Sequence, residues 1–427
     1  MIHYKSLERS PRLLLSCVLT PLQGDRIQPT GFPDLGAARY CRPKDGKEML
    51  LVESAQSVAN RLEATIWDSA RGNLLPGLDD LPYLSIDCGP LGKTTSIQEF
   101  HRLNSPYIWN STVTETVAWR KQFAAECGIP YEPSETKTDV PGALDLRKFY
   151  RAVFKWDPNS ALHGVFLEKL AGRLRMARLL SGFVEAEGVR PVESGGVKID
   201  HLLPSPKALG LSANEGFGNV PFPRTEFVAD RTVAYFNLDL ALLRGYGLGE
   251  VANKLLIALA LFKIRSFLDH GLRLRAACDL RAGDLATDQP RGFDVPSREE
   301  IIVGLPDLIK NCKEKKLLAE PAVTELKWSP ARQGKITVDL PADTSAPAID
   351  RDQRKLVKFV GGTAKRRPRL ELANAGQECV EAARALFSGN EAIVRYIDEA
   401  VRKQGDERAK AAAAGSGATG QSEEAGA

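Results

Sequence analysis

Long apolar runs, paired cysteines and catalytic boxes are all missing from this chain. The apolar segment Leu13–Leu19 falls far short of the ~18 residues a membrane span requires. Pro21 and a glycine-punctuated loop follow it where a signal peptide would show a small-residue cleavage site, so it reads as a buried strand and no membrane association is expected. Cysteines stand at 17, 41, 88, 127, 278, 312 and 379. Their number is odd and none form a CxxC pair, which argues against a zinc site and a disulfide framework and points to a reducing cytosol. The histidines at 3, 101, 163, 201 and 270 make neither HExxH nor a triad neighbourhood, and they read as structural or solvated; His201 is the least bland. The segment GPLGKTTS at 89–96 ends in Gly-Lys-Thr but lacks the spacing of a phosphate-binding loop. No catalytic residue, metal or cofactor is therefore assigned. The net charge of +4 excludes a polycation but not a locally basic groove.

What is present is an ordinary globular composition, 43% apolar and 26% charged over 427 residues, enough for one elaborated domain or two to three simple ones. The most informative stretch is 24–63. Gly24, Pro29, Gly31, Pro33 and Gly36 punctuate a loop that carries Arg26, Gln28, Thr30 and Arg39. Asp25 and Asp34 in it are turn formers or, alternatively, groups for a metal or a 2′-hydroxyl. An amphipathic helix over about 53–67 places Ala55, Val58, Ala59, Leu62 and Ile66 in one arc. Ser54, Gln56, Ser57, Asn60 and Arg61 fill the other side, where free N–H groups and the positive dipole end suit a phosphate. N-capping by Ser54 plus a solvated face accounts for the same residues.

Further along, Leu84–Cys88 reads as a strand and Ser96–Leu103 as a helix with a Ser96/Glu99 capping box. Residues 111–171 read as a helical insertion broken by a Pro-rich loop. The segment 174–189 reads as a strand, continuing into a hairpin with a Ser-Gly-Gly turn at 194–196. A long loop, 203–223, follows. Residues 225–246 read as a strand pair or one long strand, and 247–271 as a buried helix with Gly271 in the C′ position. A strand follows from Leu272. The order strand, helix, strand, strand, helix, strand is the ferredoxin-like or RRM-like βαββαβ pattern, an α+β class with large insertions. The expected domains are a core at 12–285, a C-terminal elaboration packed on it at 286–403, including a basic run Lys365–Arg369, and a disordered tail at 404–427. Arg173, Arg175 and Arg178 head the third element, Lys198 and His201 lie in the hairpin, Arg273 and Arg275 alternate on the last strand, and Lys263 and Arg265 end the buried helix. Together with the loop these could border a groove that binds phosphates in a salt-sensitive way. Each arginine reads equally well as snorkelling at a sheet edge.

At this point the stretches IQPTGFPDLGAA (27–38), LLVESAQSVANRLE (50–63), HRLNSPYI (101–108), SGGVKID (194–200), GNVPFPRTEF (218–227), AYFNLDLALLRGYGLG (234–249) and RLRAACDL (273–280) carry a resemblance. The chain resembles the RAMP-type backbone subunit of CRISPR type I effector complexes, closest to the subtype I-U/I-G form, over about residues 12–285. The family's Ser-Ser-Gln-Ser helix start is Ser54-Ala55-Gln56-Ser57 here, and its Lys-Arg is Asn60-Arg61. The resemblance implies a CRISPR RNA-binding protein of the cytoplasm that lines up in several copies along the guide. It would present the guide for target DNA pairing, beside other effector-complex subunits. A thumb-like projection, formed by 203–223 with its flanks or by 27–48, would kink the RNA. The implied RNA-binding residues are Arg26, Gln28, Thr30, Arg39, Ser54, Gln56, Ser57, Asn60, Arg61, Arg173, Arg175, Lys198, His201, Arg273 and Arg275. Two other readings stay open: an endoribonuclease acting through Asp25 or Asp34, and a scaffold that never touches RNA.

Overall fold

The computed structural model describes residues 2–32, 36–114, 117–129, 144–168, 170, 174–205, 209–329, 336–349, 353–362, 367–373 and 377–419. Two compact units divide the chain: Met1–Asp79 with Arg178–Asn311, and Asp80–Ala177 with Cys312–Ala427. This differs from the expected single core with an insertion from about 111. The insertion opens at Asp80, and residues from 312 onward share its unit. The reason is non-local: Val323–Lys327 pairs in parallel with Tyr83–Asp87.

The first unit is built on β1 (Arg12–Pro21), where strict alternation buries Leu13, Leu15, Cys17 and Leu19. In chain order there follow β2 (Arg26–Ile27), β3 (Arg39–Cys41), β4 (Glu48–Glu53), α1 (Ala55–Ala64), β5 (Leu180–Glu187), β6 (Arg190–Lys198), β7 (Val220–Val228), β8 (Arg231–Asp239), α2 (Glu250–His270), β9 (Arg273–Arg275) and β10 (Cys278–Gln289). Seven of the strands form one antiparallel sheet in the order β9-β10-β1-β8-β5-β4-β3. Its central pair runs from Arg12↔Asp239 to Leu19↔Thr232. A second sheet has the order β6-β7-β2. The class is mixed α and β, as expected.

Helix α1 buries Val58, Ala59 and Leu62 against β5 and α2, but Ala55, placed in the apolar arc by the wheel, is exposed. Gly182 on β5 sits where a Cβ would come within 2.8 Å of the Phe236 ring and 3.1 Å of Val58, so only glycine lets α1 lie this close to the sheet. Helix α2 is buried on nearly all sides, from Ala252 to Leu268. Gly271 ends it, though not by a left-handed C′ geometry: its φ is −103°. A Cβ there would meet the Phe267 carbonyl oxygen at 2.8 Å, so the glycine is required for space.

Two further readings change. Ser194, Gly195 and Gly196 form no turn; they lie inside β6, paired with Arg224, Pro223 and Phe222. A Cβ on Gly195 would stand 2.6 Å from the Phe222 carbonyl oxygen, so close strand approach explains the glycine. The β6–β7 connection comes later, at 199–219. The segment 225–246 resolves into the end of β7 and the whole of β8, which belong to different sheets, and then a short helix, Leu240–Gly245, capped by Asp239, where a strand was expected.

In the second unit Tyr83–Asp87 is a strand, flanked by Lys93–Thr95 and Val323–Lys327. Ser96–Leu103 is not a helix. The Ser96 hydroxyl accepts from the Leu84 N–H at 3.2 Å, and Glu99 accepts from the hydroxyls of Thr94 and Ser105, both at 2.7 Å. Neighbouring strand and turn residues have taken the groups that would close a capping box. Within 111–171 the described residues form the helices Trp119–Glu126, Leu146–Trp156 and Pro158–His163. The last helix, Glu391–Thr419, runs through much of the stretch whose composition suggests a disordered tail. Among the described residues no helix is long and apolar enough to cross a membrane.

Candidate nucleic-acid interface

Strand β4 ends in Glu53, whose side chain is 0% exposed. An interior carboxylate costs several kcal/mol unless cations compensate it. Two do: Arg61 from α1, with its Nη2 3.3 Å from Oε1, and Arg275 from β9, bonded to the same oxygen. Arg61 also donates to the carbonyls of Arg273 and Leu274, and Arg275 to the carbonyl of Gln28. One carboxylate thus fastens the loop, α1 and β9 together. Its Oε2 and the Arg61 Nε are enclosed without a partner.

A second interior carboxylate, Glu226 on β7, is 3% exposed. Arg26 Nη1 lies at 2.9 Å and Arg224 Nη2 at 3.3 Å, and the Ser194 hydroxyl donates at 3.2 Å. Arg224 also donates from Nε to the Gln28 side-chain oxygen at 3.0 Å and from Nη2 to the Ala276 carbonyl at 3.1 Å. Gln28 is therefore the joint between the two clusters.

The outer face of α1 differs. Ser54 caps the helix, its hydroxyl accepting from the Ser57 N–H at 3.2 Å. Gln56 and Asn60 are exposed and linked, Nε2 to Oδ1, at 2.8 Å. Arg178 donates to the Gln56 side-chain oxygen at 2.9 Å and to the Ala55 carbonyl at 3.1 Å. Arg273 is 80% exposed, with Asp279 at 3.9 Å. A guanidinium, two amides and a helix start thus present donors on one open surface, suited to an anionic backbone.

The structure sorts the sequence candidates. Gln56, Ser57, Asn60, Arg273 and the capping Ser54 share the α1 edge. Arg61 and Arg275 stand there too, but their donors are spent on Glu53 and on carbonyls, which corrects the reading of both as free phosphate ligands. Gln28 is likewise turned to structure. Thr30 takes part through its backbone, its N–H donating to the Val52 carbonyl at 2.8 Å. Arg26 is half spent on Glu226. Arg39 pairs with Glu48 at 3.2 Å and lies over the Phe227 ring at 5.8 Å.

Lys198 and His201 are not brought to the loop. Lys198 lies four residues along β6 from Ser194, about 13 Å away at strand spacing. Beside His201, Asp200 accepts from the N–H groups of Leu203, Gly218 and Leu202, which hold its carboxyl below the usual range and tie the ribbon's connection together. Arg175 belongs to the second unit and is exposed on Leu174–Met176. Arg173 and Asp34 lie outside the described residues. Lys263 is buried inside α2, and Arg265 donates to the carbonyls of Pro296 and Val295, so neither borders a groove. Glu53, Glu226 and Arg224 were not singled out by sequence reasoning. The one available signal was Arg224 and Glu226 alternating on a single strand face. Among the described residues no three ligating side chains gather into a metal site.

A family model described as CRISPR-associated protein GSU0053 matches residues 13–191. The match covers less than half of the chain. The match takes in β1, the loop and all of α1, so the outer face of that helix lies inside the GSU0053 segment, whereas β6 beyond Pro191, β9 and Arg273 lie outside it. Among solved structures, the chain is similar to a chain of a CRISPR RNA-guided surveillance complex, pre-nicking, at 14% identity over 64% of this chain and 74% of that one, with a TM-score of 0.32. It is also similar to Thermofilum pendens Csc2, at 8% identity over 74% and 83%, with a TM-score of 0.26. No curated protein matches the chain.

Proposed function

We propose that this chain is a CRISPR RNA-binding backbone subunit of a type I Cascade-like complex. Several copies polymerise along the guide and present it for pairing with target DNA. The observation that carries the reading is the open face of α1, with Gln56, Asn60 and Arg178 in one hydrogen-bonded chain inside the CRISPR-associated segment. Such a surface holds phosphates and leaves base edges free, so that pairing and not the protein reads the target. The strand order β10-β1-β8-β5, with α1 and α2 in the two crossovers, supports a ferredoxin-like core. The β6–β7 ribbon, with exposed Val197, Ile199 and Leu202 at its far end, supports a thumb.

The test is the affinity of a labelled single-stranded guide RNA for the full chain. Gln56→Ala with Arg178→Ala is expected to weaken binding roughly tenfold, the size of one to two lost charge-assisted bonds. Asn60→Lys, which restores the family's residue, is expected to tighten it and to steepen its salt dependence. Unchanged affinity in both variants overturns the site. Mg²⁺-dependent cleavage of the RNA that disappears in Asp25→Ala would replace the reading with a ribonuclease.

A further inference from the structure

Helices roof one face of the seven-stranded sheet: α1 packs on β5, and α2 on β8 and β10. The alternation that buries Leu13, Leu15, Cys17 and Leu19 on that side sends Leu14, Ser16 and Val18 to the other. In register with these three stand Asn237, Tyr235 and Val233 of β8, and then Ser181, Phe183 and Glu185 of β5. Tyr235 therefore lies between Ser16 and Phe183. Its ring and that of Phe183 are 5.2 Å apart and inclined at 32°. Phe183 is 38% exposed and Val18 39%, so aromatic and aliphatic surface is open along the middle strands of the sheet.

Carboxylates border the ring pair. Glu185 accepts from the Tyr40 hydroxyl on Oε1 at 2.6 Å. Asp288, the residue of β10 passed over between the partners of Leu14 and Leu15, accepts from the Ser16 hydroxyl at 3.1 Å. Hydroxyl donors leave both negative charges in place, and among the described residues neither carboxylate forms an ion pair. The cations of this face stand at its ends. Arg12 pairs with Asp239 at one end; Arg42 and Arg231 pair with Glu187 at the other, at 3.0 and 3.6 Å. Arg281, opposite Thr20, lies at that same end. From Leu14 to Val18, and at the positions in register with them, there is no lysine or arginine.

The rings alone would suit an unpaired base, but a phosphate chain is repelled by carboxylates that lack counter-charge. A guanidinium is favoured by both features. It lies flat on aromatic rings, bonds a carboxylate through two N–H groups, and is less strongly hydrated than an ammonium. In the strand order β10-β1-β8-β5 the Tyr235 ring stands between the two carboxylates. Three strand spacings separate Asp288 from Glu185, about 14 Å. They are too far apart to share one cation, and suit two side chains of one segment.

We propose that this open sheet face docks an arginine-bearing segment of a partner protein, with one guanidinium over Phe183 and Tyr235 and bonded to Glu185, and a second at Asp288. The proposal does not rest on the guide-RNA reading of the α1 edge. The experiment uses the full chain and a fluorescent peptide in which arginine alternates with threonine, read by anisotropy over a range of salt. Glu185→Gln/Asp288→Asn keeps both hydroxyl bonds and is expected to weaken peptide binding about tenfold and to flatten its salt dependence. Phe183→Leu keeps the apolar bulk, removes the ring face and is expected to cost about two- to fivefold. Glu299→Gln/Asp307→Asn removes the same charge from exposed positions of the helix Arg298–Glu314 and is expected to stay within about twofold.

A wild-type chain that does not bind the peptide overturns the proposal, as does unchanged affinity in the Glu185/Asp288 variant or an equal loss in the Glu299/Asp307 variant. Single-stranded RNA that binds more weakly to Phe183→Leu and more tightly to the Glu185/Asp288 variant overturns it in favour of a base-stacking face. Self-association of the wild type in sedimentation, abolished in the Glu185/Asp288 variant, overturns it in favour of a second copy as the occupant. Melting curves check that each variant folds; if Phe183→Leu does not, the Glu185/Asp288 variant still decides.

Discussion

The loop–helix region of the first unit and the hairpin near the C-terminus are both rich in basic side chains and dispose of them in opposite ways. In the first, Arg26, Arg61, Arg224 and Arg275 converge on two interior carboxylates, Glu53 and Glu226, and donate what remains to carbonyls and to the Gln28 amide. In the second, Lys358 and Arg369 stand across the strands from Glu371 and Asp339 on a surface face, and Arg369 is bonded to Glu371 at 3.2 Å. The position of the counter-charge, more than the number of cations, separates an arginine that holds the fold from one that is open to a ligand. In the first unit this leaves the exposed Arg273 open at the α1 edge, beside the linked Gln56, Asn60 and Arg178.

Three substitutions press on that comparison. Glu53→Ala carries the largest expected effect: it strands two arginines in a covered site and should lower stability by about 3–5 kcal/mol, read as a drop in melting temperature. A wild-type melting curve with weakened RNA binding would break the comparison, because it would make the arginines ligands after all. The pair Arg61→Ala and Arg273→Ala sharpens it. Arg61→Ala should cost about 1–3 kcal/mol of stability. Arg273→Ala should stay within about 0.5 kcal/mol and instead weaken RNA binding several-fold. The reverse pattern in the two melting curves would invert the assignment.

The smallest effect is one of pH. Asp45 is held down at about 2, first by its hydrogen bond from Arg42, and the same guanidinium lowers Glu187. A carboxyl lowered by folding contributes stability that is present above its unfolded value, near 3.9, and lost as pH falls through the folded one. The stability difference between wild type and Asp45→Asn should therefore be constant above about pH 4 and vanish toward pH 2. Melting curves across that window test it, and a difference that grows on acidification would have the wrong sign.

Much of the architecture was legible because it is local. Alternation marks Leu13, Leu15, Cys17 and Leu19 as one face of β1, and the arc through Val58, Ala59 and Leu62 marks the buried side of α1. Patterns failed where another partner outbid the one the spacing suggested. Ser96 and Glu99 have capping-box spacing, but Leu84, Thr94 and Ser105 claim their oxygens. Ser194-Gly195-Gly196 has turn composition, yet its glycines answer to the strand beside them. Glu53 gave no signal, since one of its two partners, Arg275, is 222 residues away. The site was legible as a helix face and a set of arginines; which of them face outward was not, because that depends on carboxylates contributed by remote strands.

Strand β1 has a consequence for how the chain is made. Its neighbours on both sides, β8 and β10, are encoded more than two hundred residues later. At synthesis rates of roughly 5–20 residues per second, the first strand to leave the ribosome waits on the order of ten seconds or more before either neighbour exists. Its Leu and Val side chains and unpaired edges are exposed throughout that interval. Closing such distant pairs is slow as well, because the chain entropy is surrendered before the contacts form. A chaperone that shields residues 12–21 during translation would therefore raise the yield of folded protein more than one that acts after release.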